Sequence, residues 1–116
     1  MTLQGLLTLL TQRPEFRRLQ DKLQKAEGIP PLTDITEAAR PYVVASIAFS
    51  FKQPILLITT DEAEAEQMAE TLKPFVSNPS DIFCLPDRDA LPYERLIGDA
   101  LTMQKRMQAL LAMVER

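Results

Sequence analysis

The chain has 116 residues, 46% hydrophobic and 25% charged, with 13 Lys and Arg against 16 Asp and Glu for a net charge of −3. With no His, one Cys and three Gly, it lacks the parts for Ser-His-Asp and Cys-His triads, His or thiolate metal sites, an internal disulfide and a C-x-x-C redox pair. Gly5, Gly28 and Gly98 are too scattered for a G-x-G-x-x-G or G-x-x-x-x-G-K-[ST] phosphate loop, and a pI near 4.9 argues against a domain devoted to gripping nucleic-acid phosphates.

Residues 2–11 carry Leu3, Leu6, Leu7 and Leu10 at helical spacing, with Pro14 ending or restarting the helix. The Leu6–Leu10 stretch is short and follows no positive charge, so no secretory signal is expected. Phe16, Leu19, Leu23 and Ala26 repeat the helical spacing over Glu15–Ala26. Gly28 and Pro30-Pro31 close that unit. Residues 1–30 are thus expected to form an N-terminal helical segment of two short helices, followed by a rigid linker.

From residue 31 the pattern changes. Leu32–Ile35 reads as a short strand. Pro41–Phe51 reads as a helix that is apolar almost all round and buried on more than one side; its Tyr42–Phe51 run is about half a membrane span. Ile55–Ile58, after Pro54, is a continuous apolar run of the kind a doubly covered parallel strand shows. Asp61 and Glu64 make a capping-box-like start to a helix striped by Ala65, Met68, Ala69, Leu72 and Phe75, with Pro74 disturbing its last turn. Ser77–Ser80 is turn material, and Ile82–Leu85 reads as a third strand. A loop follows over residues 86–98. Asp99 then caps a closing helix whose Met103, Met107, Leu110, Leu111 and Val114 share one face, a pattern commoner in cores than on recognition surfaces.

This order predicts an α/β fold for residues 31–116, a small parallel sheet with flanking helices. Three strands would leave exposed sheet edges, and the chain stops inside an apolar helix. Both features are expected of a piece of a larger soluble intracellular protein.

In such a fold the first strand-to-helix junction is where phosphate binds. The positions that would carry Gly, Gly, Lys and Ser/Thr hold Asp34, Ala39, Arg40 and Pro41. Asp34 places negative charge beside the site, and Ala39 adds a methyl group where backbone should approach the ligand. Arg40 replaces a compact ammonium, while Pro41 removes an N–H and supplies no hydroxyl for magnesium. Starting the helix near Arg40 puts Pro41 in the first turn, where its missing N–H costs little. The geometry of a phosphate loop is then expected without its chemistry. Asp61 and Glu62, after an apolar run and two threonines, resemble a magnesium-binding strand end, but carboxylates are favourable at a helix start in any case.

Arg13, Arg17, Arg18, Lys22 and Lys25 form the basic cluster, interrupted by Glu15, Asp21 and Glu27. With no aromatic residue on the face that positions 18, 22 and 25 share, a solvated face is the expected reading. Cys84, inside an apolar run, is expected to be buried and inert. The 86–98 loop is long enough to be functional; it serves as an interaction loop or caps the sheet edge with Leu91 and Tyr93.

Three stretches carry a resemblance. Asp34–Ala45 resembles a degenerate phosphate loop, and Ile55–Ala69 resembles the strand and helix at the place of helicase motif Ia. Pro86-Asp87-Arg88-Asp89-Ala90-Leu91-Pro92-Tyr93-Glu94, with Arg106 and Leu110 beyond, resembles a family stretch reading Pro-Asp-Trp-Glu-Thr-Leu-Pro-Tyr-Asp before an Arg-Leu helix. Together they are similar to the start of the bacterial transcription-repair coupling factors (Mfd), in their first subdomain, which is related to the excision-repair subunit UvrB. Arg88 stands where the family usually has Trp, and the family's Ser-Pro stretch after Glu94 is absent.

The resemblance implies a degenerate P-loop-like subdomain of the UvrB domain 1a kind, without catalytic residues, metal or cofactor of its own. ATP and magnesium would belong to a distant motor that also engages DNA. The fragment would act as a non-catalytic scaffold against the rest of its own chain, within a module that supports recruitment of UvrA to RNA polymerase stalled at damage. Its expected interaction residues are Asp87, Arg88, Leu91, Pro92, Tyr93, Glu94 and Arg106. The setting would be the bacterial cytoplasm, away from membrane. The alternatives are half of an active UvrB-like helicase, against which positions 34, 39, 40 and 41 speak, and a free-standing protein-interaction adaptor.

Overall fold

The computed structural model describes residues 3–25, 34–88 and 99–115. The expected Gly28–Pro31 linker, the first half of the Leu32–Ile35 strand, and positions 89–98 of the long loop lie outside the described residues. Among the described residues there are five α-helices: α1 (Leu7–Thr11), α2 (Pro14–Gln24), α3 (Arg40–Phe51), α4 (Glu62–Leu72) and α5 (Ala100–Val114). Single 3-10 turns occupy Gln4–Leu6, Glu37–Ala39, Lys73–Phe75 and Pro79–Asp81.

The starts of α2, α3, α4 and α5 have local causes. Arg13 is extended before Pro14, and Pro14 opens α2 where its missing N–H is harmless. Pro41 likewise lies in the first turn of α3, which starts at Arg40 as expected. Asp61 Oδ1 accepts the Glu64 N–H at 2.8 Å at the head of α4. Glu64 Oε2 reaches back to the Thr60 N–H at 2.8 Å and the Thr60 hydroxyl at 2.6 Å. That is a capping box shifted by one residue on its return arm. Asp99 Oδ2 accepts the Thr102 N–H at 3.2 Å and starts α5. Pro74 converts the end of the α4 stretch into the Lys73–Phe75 3-10 turn.

The chain divides into two compact units, and one of the three boundaries between them falls inside α4. The first comprises Met1–Ile55 and Thr71–Pro79. Here α1 packs on both α2 and α3. Leu7, Phe16, Leu19 and Ala45 are buried; each large side chain among them contributes roughly 1.5–3 kcal/mol. Ala45 and Ser46 are small, as close approach of a neighbouring helix requires. Ser46 is fully buried and donates its hydroxyl to the Tyr42 carbonyl at 2.8 Å, so the burial leaves no polar atom orphaned. Tyr42 donates its hydroxyl to the Leu6 carbonyl and sets its ring 5.7 Å from Phe75. The Leu3 N–H donates to the Pro74 carbonyl at 2.7 Å. The expected burial of the third helix on several sides holds in part: Pro41, Ala45 and Ser46 are buried, whereas Phe49 is 49% exposed.

The second unit comprises Leu56–Glu70 and Ser80–Arg116. The Cys84 Sγ lies 3.8 Å from the Ala65 carbonyl, and the thiol is half-buried rather than buried.

The expected α/β architecture is not present. Among the described residues there is no strand, so neither the small parallel sheet nor the degenerate P-loop-like, UvrB domain 1a-like fold built on it is found. Ile55–Ile58 and Ile82–Leu85 have no regular structure. Asp34, in the expected first strand, sits in a turn. The physical reason is that an apolar run becomes a strand only when a neighbour exchanges N–H···O=C bonds with it and both faces are covered. Here Leu56 and Ile58 are 70% and 85% exposed.

Candidate functional site

The strand-to-helix phosphate site loses its geometric premise along with the strand. Asp34 is an exposed turn residue, and Thr36 is extended ahead of the Glu37–Ala39 3-10 turn. Ala39 is half-buried and caps α3 without a side-chain hydrogen bond; Arg40 is exposed as the helix's first residue, and Pro41 is buried beneath it. Thus Arg40 and Pro41 stand where the sequence placed them, at a helix start. The approach to that start is a tight helical turn rather than a loop wrapped to receive phosphate. Among the described residues, no group of three His, Cys, Asp or Glu side chains could hold a metal ion.

The second set of expected residues is partly brought together. Arg106, half-buried on α5, donates from its guanidinium to the carbonyl of Pro86, which is buried. This ties the end of the apolar Ile82–Leu85 run to α5. Asp87 and Arg88 follow, both exposed, with the Asp87 carboxylate accepting the Arg88 N–H at 2.7 Å. Leu91, Pro92, Tyr93 and Glu94 lie outside the described residues. Lys105 Nζ approaches the Glu66 carboxylate at 3.7 Å, with both side chains about half exposed; such a surface pair adds at most about 1 kcal/mol.

These contacts fix the rotation of α5. Ala109 is buried at 2% exposure, and Thr102 and Arg106 on the same side are half-buried. The opposite side carries Met103, Met107, Leu110, Leu111 and Val114, from 44% to 83% exposed. The sequence reading of this stripe as core is therefore corrected: α5 seats on its small-residue side and presents its large apolar side outward. Helical periodicity found the stripe but could not say which side faces the body. The signal for rotation was Arg106, whose fork needs a carbonyl when half-buried, and Ala109, small enough for close packing. No helix among the described residues is long and apolar enough to cross a membrane.

No family model matches the chain, and no solved structure matches it. Among curated proteins, the transcription-repair-coupling factors of Mycobacterium bovis and Mycobacterium tuberculosis are each similar to it, at 34% identity over 107 residues. Those residues are 91% of this chain and 8% of either relative. The resemblance to transcription-repair coupling factors is thereby borne out at the level of the family, and the chain spans about 8% of the length of the curated relatives it matches.

Proposed function

We propose that this chain is a non-catalytic scaffold subdomain of a transcription-repair coupling factor. It belongs on this reading to a UvrB-related module that supports recruitment of UvrA to RNA polymerase stalled at damaged DNA. ATP and magnesium are used by a motor elsewhere in such a protein, which also moves on DNA. The observation that carries the reading is the 34% identity across 91% of the chain. The outward apolar side of α5 supports it physically. Five large apolar side chains on one helix side, each at least 44% exposed, form the kind of patch that marks a packing interface. Arg106 and Pro86 hold that side in a fixed orientation, as a scaffold contact requires.

The test uses the native polypeptide that carries this sequence, on an RNA polymerase elongation complex stalled at a lesion. Substituting Met107→Lys and Leu111→Lys is expected to lower UvrA retention at least several-fold and to leave ATP hydrolysis unchanged. Loss of ATP hydrolysis in the variant would overturn the non-catalytic reading. Unchanged UvrA retention would remove the scaffold role of α5.

A further inference from the structure

The charges of this chain are unevenly placed. Arg13, Arg17, Arg18, Lys22 and Lys25 stand against Glu15 and Asp21 over residues 13–25, a local net of +3; the remaining residues sum to −6, giving the overall −3. All five basic residues are exposed. Arg17 uses its Nε on the Thr11 carbonyl at 3.4 Å. Among the described residues the side chains of Arg18, Lys22 and Lys25 make no ion pair or hydrogen bond, although Glu15 and Asp21 lie on the same helix. Phe16 and Leu19 turn into the first unit, which leaves Arg18, Lys22 and Lys25 together on the outer face of α2.

The composition of that face selects its partner. A protein interface is built around an apolar or aromatic anchor with a polar rim. The outer face of α2 has no such anchor: beside the basic residues it holds Pro14, Glu15, Asp21 and Gln24, all exposed. A nucleic-acid backbone needs none, because its affinity comes from released counterions. Successive residues at i, i+4 and i+7 rise about 6 Å and then about 4.5 Å along a helix, a stripe short enough to follow a few phosphates.

We propose that the outer face of α2, through Arg18, Lys22 and Lys25, is a sequence-independent contact for the phosphate backbone of duplex nucleic acid. Phe16, the aromatic residue among these positions, is buried in the first unit, which excludes base stacking on this face and leaves backbone contact intact. The contact is separate from the scaffold role of α5 and survives the failure of that reading. The net charge of −3 opposes binding at a distance, so the contact is weak and serves to orient a duplex held by other means.

The test is fluorescence anisotropy of a labelled random-sequence DNA duplex titrated with the 116-residue chain at several salt concentrations. Three phosphate contacts lower the binding constant about 40-fold between 50 and 200 mM salt. The triple substitution Arg18→Ala, Lys22→Ala, Lys25→Ala is expected to abolish that salt slope and most of the low-salt binding. The exchange Arg18→Lys, Lys22→Arg, Lys25→Arg is expected to keep both, since only charge is used. All three positions are exposed, and an unchanged circular dichroism spectrum separates loss of contact from loss of fold. No binding at 50 mM salt, a slope that persists in the alanine variant, or binding of a polyglutamate peptide in place of the duplex would each overturn the proposal.

Discussion

Tyr42 joins three parts of the first unit at one side chain. Its hydroxyl donates to the Leu6 carbonyl at the head of α1, its backbone belongs to α3, and its ring meets Phe75 in the Lys73–Phe75 turn. Substituting Phe keeps the ring contact and leaves the Leu6 carbonyl to find water. The expected loss is about 1 kcal/mol, read as a lower urea midpoint at unchanged slope; an unchanged midpoint would show that the hydroxyl holds nothing. This tie could not be read from the sequence, because nothing local to Tyr42 points to a carbonyl 36 positions earlier. Asp61 and Asp99 were legible for the opposite reason. A capping carboxylate reaches an N–H three residues on, so the whole interaction fits inside one short stretch of sequence.

At the scale of elements the same division holds. The starts of α2, α3, α4 and α5 follow from Pro14, Pro41, Asp61 and Asp99, whose effects are confined to one turn. The strands did not follow, because Ile55–Ile58 and Ile82–Leu85 are apolar runs whose state depends on what lies beside them. Among the described residues no neighbour supplies a ladder, and the runs remain without regular structure. Helix α5 shows how rotation, as distinct from existence, escapes periodicity. Its two sides predict opposite responses in the isolated chain. Met107→Lys, on the 66% exposed side, is expected to change stability by no more than about 0.5 kcal/mol. Ala109→Leu, at a site 2% exposed, forces extra volume into a closed contact and is expected to cost about 1–3 kcal/mol. Urea denaturation of the two variants side by side checks the assignment; the reverse order would mean that α5 seats on its methionine side.

For the molecule as a whole, the proposed function rests on resemblance, and the sequence spoke to chemistry chiefly through exclusion. No periodicity in 116 residues names a repair process. The likeness to transcription-repair coupling factors rests on particular residues such as Pro86 and Arg106, and the structure gives those two a shared physical task. The motor half of an ATPase would instead have to bind nucleotide, and the first turn of α3 is where that idea is tested. Arg40 supplies a positive charge there, but Ala39 caps the helix without a side-chain hydrogen bond and Pro41 removes an N–H from the turn. Magnesium-ATP in large excess is therefore expected to leave the thermal midpoint of the chain unchanged. A ligand at about a hundred times its dissociation constant adds roughly 2.7 kcal/mol. For a chain of this length that raises the midpoint by on the order of 10 °C, well above the scatter of a melting curve. Such a rise, lost in Arg40→Ala, would assign phosphate binding to the start of α3 and replace the scaffold reading with that of a nucleotide-driven half. A rise that persists in Arg40→Ala would place the nucleotide elsewhere on the chain and would equally end the non-catalytic reading.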